Sequence, residues 1–336
     1  MKAVVLCAGF GTRMRPLTDH VAKHLIPVAN KPVLFYALEN IVAAGARDIC
    51  IVVNPATHEQ IEAQVHRGER FGARVQYVEQ PEPLGLAHAV HCAREFASDE
   101  PFVLYLADTL IDEPIANATA RFEREHARAV VMLAAVADPQ RYGVAQVDGD
   151  RIILLVEKSA QPPSNLAFIG ACVLDRHIFE VIENLQPSAR GEYEITDAIQ
   201  ALVARGRLVL PHVTTRWWKD TGTPAALLDA NRVLLDRISP DIRGSLDAAS
   251  SVTGKAIIGA GTVIQRSRVV GPVLIGNDVR IDDATIGPYA SIGDRSDIRR
   301  TIVEDSIVMD GSILDGAEKR VTGSIVTAGV RLRARQ

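Results

Sequence analysis

Residues 3–7 form an unbroken apolar run, Ala3-Val4-Val5-Leu6-Cys7, which stops abruptly at Ala8-Gly9-Phe10-Gly11-Thr12-Arg13. A β-branched run halted by a glycine turn predicts a buried first strand whose carboxyl end opens into a loop, where backbone N–H groups meet an anion. The loop continues as Met14-Arg15-Pro16-Leu17-Thr18, and that excludes two common phosphate loops. A Walker loop ends in Gly-Lys-Ser/Thr, which is missing after these glycines. The dinucleotide fingerprint needs a third glycine where Met14 stands, and an uninterrupted helix where Pro16 stands. A plain glycine turn remains open as the other reading, so the loop takes its meaning from the rest of the chain.

Downstream of the loop, strand and helix patterns alternate. Asn30 or Lys31 can cap a helix with Pro32 in its first turn, Leu34, Leu38 and Ile41 on one face, and Gly45 as its stop. Strands are predicted at Asp48 to Val53, Arg74 to Val78 and Phe102 to Ala107, the last ending on Asp108; helices fill Thr57 to His66 and Leu86 to Phe96. This alternation predicts an α/β fold: a Rossmann-like, mostly parallel sheet with helices on both faces, whose ligands sit at the carboxyl ends of the strands. The Gly9 loop and Asp108 both fall at such ends. Thr223 and Pro224 read as the cap and first residue of a helix through Leu235.

Beyond residue 240 the grammar changes. Gly259, Gly276 and Gly293 recur every 17 residues, each after an isoleucine, and Ile264, Ile281 and Ile298 recur between them. Single apolar positions separated by small or polar residues predict a stacked parallel β-solenoid, similar to the left-handed hexapeptide helix. After Ile302 the pattern continues less regularly as Ile307, Ile313 and Ile325. At 336 residues the chain exceeds one ordinary core, so two domains are expected, 1–240 and 241–336.

Bulk properties narrow the partners. A net charge of −4 supplies no general attraction to nucleic acid or to anionic lipid. The longest apolar run, Ala129 to Ala137, has 9 residues, against the ~20 a membrane helix needs. Cys7, Cys50, Cys92 and Cys172 are far apart with no Cys-x-x-Cys spacing, and read as reduced core thiols of a cytoplasmic protein. The expected partners are small molecules.

Gly9-x-Gly11-Thr12-Arg13, Pro16-Leu17-Thr18 and Lys23 together resemble the sugar-1-phosphate nucleotidyltransferases, most of all the long-form glucose-1-phosphate thymidylyltransferases. Later segments match in the same order: Gln80-Pro81-Glu82-Pro83-Leu84-Gly85, Tyr142-Gly143-Val144, Val156-Glu157-Lys158, Ile169-Gly170, Arg190-Gly191-Glu192-Tyr193-Glu194 and Trp217-Trp218-Lys219-Asp220-Thr221-Gly222. The resemblance implies attack of a sugar-1-phosphate oxygen on the α-phosphorus of a nucleoside triphosphate, with pyrophosphate leaving. Leu6, Ala8, Gly9, Gly11, Thr12 and Arg13 would line the nucleotide, with Gln80 and Gly85 reading its base. Tyr142, Gly143, Glu157, Lys158, Gly170 and Glu192 would surround the sugar phosphate. Arg13, Lys23 and Lys158 would carry the catalytic cations, and Asp108 and Asp220 would hold Mg²⁺. That division suits the chemistry, since bringing several negative charges together calls for cations and a metal more than for a general base.

The match is not complete. Ala107-Asp108-Thr109 replaces Gly-Asp-Asn, His24 follows the lysine where glutamine is common, and Cys172 stands in a usual tyrosine position. The sugar and the base are therefore open: thymidylyl transfer to glucose-1-phosphate leads, with uridylyl or guanylyl transfer to another sugar or cyclitol phosphate as the alternative. A non-catalytic scaffold subunit would be expected to lose Arg13, Lys23, Asp108, Lys158 and Asp220, all of which are present. A solenoid acyltransferase generally uses a histidine base, and the last histidine here is His212. The solenoid is accordingly expected to serve assembly into a homo-oligomer.

Overall fold

The computed structural model describes residues 1–316 and 320–333. The chain divides into two compact units, one of Met1–Thr12, His20–Leu25 and Val33–Asp220, the other of Arg13–Asp19, Ile26–Pro32 and Thr221–Gln336.

The first unit is built on a nine-stranded sheet. Its strands are β1 (Lys2–Cys7), β2 (Asp48–Val53), β3 (Arg74–Glu79), β4 (Phe102–Leu106), β6 (Ala129–Ala135), β7 (Gly143–Asp148), β8 (Arg151–Glu157), β9 (Leu166–Leu174) and β10 (Val209–Val213). A short β5 (Thr109–Ile111) pairs apart from it with β11 (Trp218–Asp220). The order is β8-β7-β9-β4-β1-β2-β3, with β6 joined to β9 and β10. Strands β3, β2, β1 and β4 are mutually parallel, as the early strand-helix alternation requires. From β9 onward the sheet is mixed, because β9 runs antiparallel to β4, β6 and β7.

The two-residue period of β1 explains how both faces are buried. Ala3, Val5 and Cys7 face a core shared with helices α1 (Val33–Ala43), α2 (His58–Val65) and, further along the chain, Ile115–Glu125. Val4 and Leu6 face the opposite core, shared with α3 (Leu86–Cys92) and helices His177–Ile182 and Ile195–Ala204. Two local expectations change. Lys31–Pro32 pairs with Pro27–Val28 as a short strand, so α1 begins at Val33 and not at the Asn30 or Lys31 cap that the sequence offers. The helix expected at 86–96 breaks at Ala93 into Leu86–Cys92 and Arg94–Ala97.

In the second unit, short strands stack into three parallel sheets of six, six and five strands, a β-helix of the left-handed hexapeptide type. Three apolar columns run through it. One is Ile258, Ile275, Ile292, Val308 and Val326; the second is Ile264, Ile281, Ile298, Leu314 and Leu332; the third is Val252, Val269, Ile286, Val303 and Val321. The irregular spacing after Ile302 resolves here, since Val303, Val308, Leu314 and Val326 carry the columns and the neighbouring isoleucines lie one position off them. The repeated glycine has a steric cause: a Cβ on Gly259 would overlap the backbone of Gly276 in the next coil. The helix Pro224–Asp236, capped by the Thr223 hydroxyl accepting from the Ala226 N–H at 3.2 Å, lies in this unit. Its Asn231 receives a hydrogen bond from the Ser291 hydroxyl at 2.6 Å.

Candidate active site

The loop after β1 is anchored from below by a buried asparagine. Asn54 Nδ2 donates to the Ala8 carbonyl at 3.1 Å while its Oδ1 accepts from the Thr57 N–H at 3.0 Å. Gly9 leaves room for what lies on it: a Cβ there would fall 2.8 Å from Lys23 Nζ and 2.9 Å from Lys23 Cε, so the end of the lysine would have to shift. Across that glycine the Lys23 ammonium forms an ion pair with Asp108, in the turn between β4 and β5. Burial works against the charged form of Asp108, but Lys23 overrides it and holds the carboxyl at about 2. His24, 2 % exposed, is kept neutral by burial and by Lys23, its titration falling to about 3.

Asp220 reaches the same place through the β5–β11 ribbon. It faces Thr109 in register, with Lys219 opposite Leu110 and Trp218 opposite Ile111, and facing residues of such a pair lie about 4.5–5.5 Å apart at Cα. Two carboxylates far apart in sequence are thus set at one end of a two-stranded ribbon. Asn40 of α1 fixes the other end, donating to the Ile111 and Glu113 carbonyls at 3.1 Å each and accepting from the Ile115 N–H at 3.0 Å. Among the described residues no group of three or more acidic, histidine or cysteine side chains forms a metal cage. The donor set fits Mg²⁺, which binds through one or two carboxylates and takes its remaining ligands from water and substrate phosphates.

Gln80 succeeds β3 and is 6 % exposed. Its Nε2 lies 3.0 Å from the Gly85 carbonyl and 3.1 Å from His88 Nδ1. Gly85 has φ +111° and admits no side chain, since a Cβ would come 2.5 Å from the Tyr193 carbonyl oxygen. That close approach carries two hydrogen bonds: Tyr193 N–H to Leu84 O at 2.7 Å, and Ala87 N–H to Tyr193 O at 2.9 Å. The loop ending at Gly85 and the segment around Tyr193 are therefore one piece of structure.

Glu157 pairs in register with Gly143, whose missing side chain leaves room for it; a Cβ on Gly143 would lie 2.8 Å from Glu157 Oε2 and overlap Thr196. Thr196 Oγ1 donates to Glu157 Oε2 at 3.0 Å, and Lys158 Nζ lies 3.3 Å from Oε1. The Lys158 N–H bonds the Tyr142 carbonyl at 2.9 Å, and the Tyr142 ring meets Trp218 edge-on at 5.7 Å. Sequence reasoning gave no role to Arg190. Its Nη2 lies 2.6 Å from Glu194, 3.1 Å from Glu192 and 3.8 Å from Glu157, so it joins two distant sequence segments. Asp197 beside them is shifted upward by burial and then by Glu194 and Glu157.

Among the other expected residues, Leu6 and Ala8 are buried, leaving chiefly their backbone to a ligand, while Thr12 is exposed and Gly11 has φ +67°. Gly170 sits where the pairing of β9 is irregular, and a Cβ there would lie 2.8 Å from Thr109 Oγ1, on the Asp108 side. Arg13 is exposed, in the short turn Thr12–Met14, and groups with the second unit.

The family model for nucleotidyl transferases matches residues 2–237. The chain belongs to the nucleotidyl transferase family. A glucose-1-phosphate thymidylyltransferase of Streptomyces griseus is 40% identical over 333 residues, 99% of this chain and 93% of that one. A solved Bacillus anthracis structure, described provisionally as a glucose-1-phosphate thymidylyltransferase and determined with sucrose, is 32% identical with a TM-score of 0.67, covering 72% of this chain and 97% of that one. A UDP-glucose pyrophosphorylase complexed with UDP-glucose is 26% identical with a TM-score of 0.63, covering 71% of this chain and all of that one. For a nucleotidyl transferase with this ribbon, Asp108→Asn and Asp220→Asn should each lower turnover at least about 100-fold, the scale of losing one preorganised electrostatic group, in protein that is still folded by circular dichroism. Near-normal turnover in either variant rules out a shared role for the two carboxylates.

Proposed function

We propose that this enzyme joins dTTP to glucose-1-phosphate, forming dTDP-glucose and pyrophosphate. The observation that supports this best is the ionised Asp108, held beside Lys23 over the Gly9 loop and joined by the β5–β11 ribbon to Asp220. A phosphoryl group placed there meets a cation and a metal-binding pair together.

In this reading the sugar phosphate is held by Lys158 and Arg190, and its oxygen attacks the α-phosphorus in line. Lys23 lies on the triphosphate near the point of attack, and Arg13, further along the same loop in sequence, takes the leaving phosphates with a planar fork that a lysine lacks. Asp108 and Asp220 hold Mg²⁺, which when bound neutralises phosphate charge and supports the charge that develops on the leaving group. Glu157, oriented by Thr196, accepts from a sugar hydroxyl, with Tyr142, Gly143, Gly170 and Glu192 completing that side. Gln80 and Gly85 face the base. Direct displacement needs no protein nucleophile. The similarity to a UDP-glucose pyrophosphorylase supports uridylyl transfer as the second reading.

Among the described residues no helix is long and apolar enough to cross a membrane. The four cysteines are free and three are buried, which fits reduced thiols in a cytoplasmic enzyme. Four of the exposed large apolar side chains, Ile242, Val263, Ile302 and Leu332, lie on the solenoid and are the material for self-association into a homo-oligomer.

Pyrophosphate release measured for each triphosphate against a set of sugar-1-phosphates should peak with dTTP and glucose-1-phosphate and should stop when divalent cations are chelated. A preference for a purine triphosphate contradicts the proposal. For assembly, Val263→Glu with Ile302→Glu should shift the protein to a smaller species by light scattering; an unchanged mass shows that these side chains are not at an interface.

A further inference from the structure

We infer that His88 is a positioning residue for base selection. Its Nδ1 and the Gly85 carbonyl converge on the Gln80 amide nitrogen, at 3.1 and 3.0 Å, and between them they occupy both amide hydrogens. The inference rests on the reading that Gln80 faces the base.

The orientation of that amide is fixed by chemistry. Turned over, it would set its own oxygen against the Gly85 carbonyl, acceptor on acceptor, so the nitrogen lies on that side and donates its other hydrogen toward His88 Nδ1. To accept here, His88 keeps its proton on Nε2. The imidazole is also rigidly carried: it stands in the first turn of α3, whose Ala87, Ala89 and Val90 are packed into the core at 0 to 2 % exposure. Gln80 itself is 6 % exposed and tethered by its N–H to the Val53 carbonyl at 2.8 Å.

The consequence is a glutamine that offers the base only its carbonyl oxygen. Thymine and uracil answer it with the ring N–H at position 3. Cytosine and adenine present a bare ring nitrogen there, so two acceptors would face each other and neither would be satisfied. A buried polar group left without its partner is costly, and sites built on such a group discriminate strongly. Gly85 alone secures one hydrogen of the amide. His88 secures the second, the one a cytosine ring nitrogen would otherwise recruit.

The test compares kcat/KM for dTTP and dCTP, each pair on one preparation so that a partly inactive sample cancels in the ratio. His88→Leu removes the acceptor and keeps the bulk; the dTTP-to-dCTP ratio should fall about tenfold or more, chiefly through the two KM values. His88→Asn keeps an acceptor at the position of Nδ1 and should restore the ratio. Gln80→Leu serves as the control for the underlying reading and should abolish most of the preference. If Gln80→Leu does so while His88→Leu leaves the ratio unchanged, His88 has no positioning role although Gln80 reads the base. If Gln80→Leu leaves the preference intact, both fall together. If His88→Asn behaves like His88→Leu, the acceptor is not what matters, and the inference fails.

Discussion

The ion pair between Lys23 and Asp108 is the contact around which the candidate site of the first unit is arranged. Each charge offsets the cost of holding the other in a partly buried site, where an unpaired charge costs several kcal/mol. Much of the local architecture exists to permit the pair. Parallel pairing of β1 with β4 brings the Gly9 loop beside the Asp108 turn. Gly9 lacks the side chain that would collide with the lysine, and Asn54 holds the loop backbone in place. The pairing holds the Asp108 carboxyl below the usual carboxylate range, which favours the ionised form that a divalent cation needs.

From that point the site extends along two rigid connections. The β5–β11 ribbon brings Asp220 across from Thr109, and Gly170 packs onto Thr109 from β9. The Leu84–Tyr193 pairing ties the Gln80 loop to the segment carrying Arg190 and Glu192. Arg190 and Lys158 then meet around Glu157, two cations amid several carboxylates. A dianionic sugar phosphate entering this group would find cations already gathered and held by the acids around them. That is preorganisation in the sense that matters for phosphoryl chemistry.

The parts legible in the sequence were those written in local pattern. The apolar run of β1, the alternation to residue 108, the Thr223 cap and the 17-residue repeat each depend on neighbours a few positions away or on a fixed period. What escaped was set by distance. Arg190 gains its meaning from Glu157, Asn54 from Ala8, and His88 from Gln80 across a proline-held loop, and no period links those pairs. The glycines fall between the two cases. Gly85 and Gly143 were legible as family positions, but what a side chain would meet at each, the Tyr193 backbone at one and the Thr196 and Glu157 side chains at the other, is visible only in three dimensions. In the solenoid the late coils misled for a related reason. Steps of 16 and 18 residues, Ile292 to Val308 and Val308 to Val326, shift the stacking position by one and set exposed or flanking isoleucines beside the true columns.

The central claim is that Asp108 and Asp220 are two ligands of one divalent cation, with Lys23 as the counter-charge that keeps Asp108 ready. Electron paramagnetic resonance of Mn²⁺, with the enzyme and a non-reacting dTTP analogue, measures this directly. Wild-type protein should bind one Mn²⁺ per chain, with a spectrum unlike that of the Mn²⁺–nucleotide complex free in solution. Asp108→Asn and Asp220→Asn should each weaken that binding while the analogue still binds. A wild-type spectrum matching the free Mn²⁺–nucleotide complex, or one unaltered by either substitution, would contradict the account.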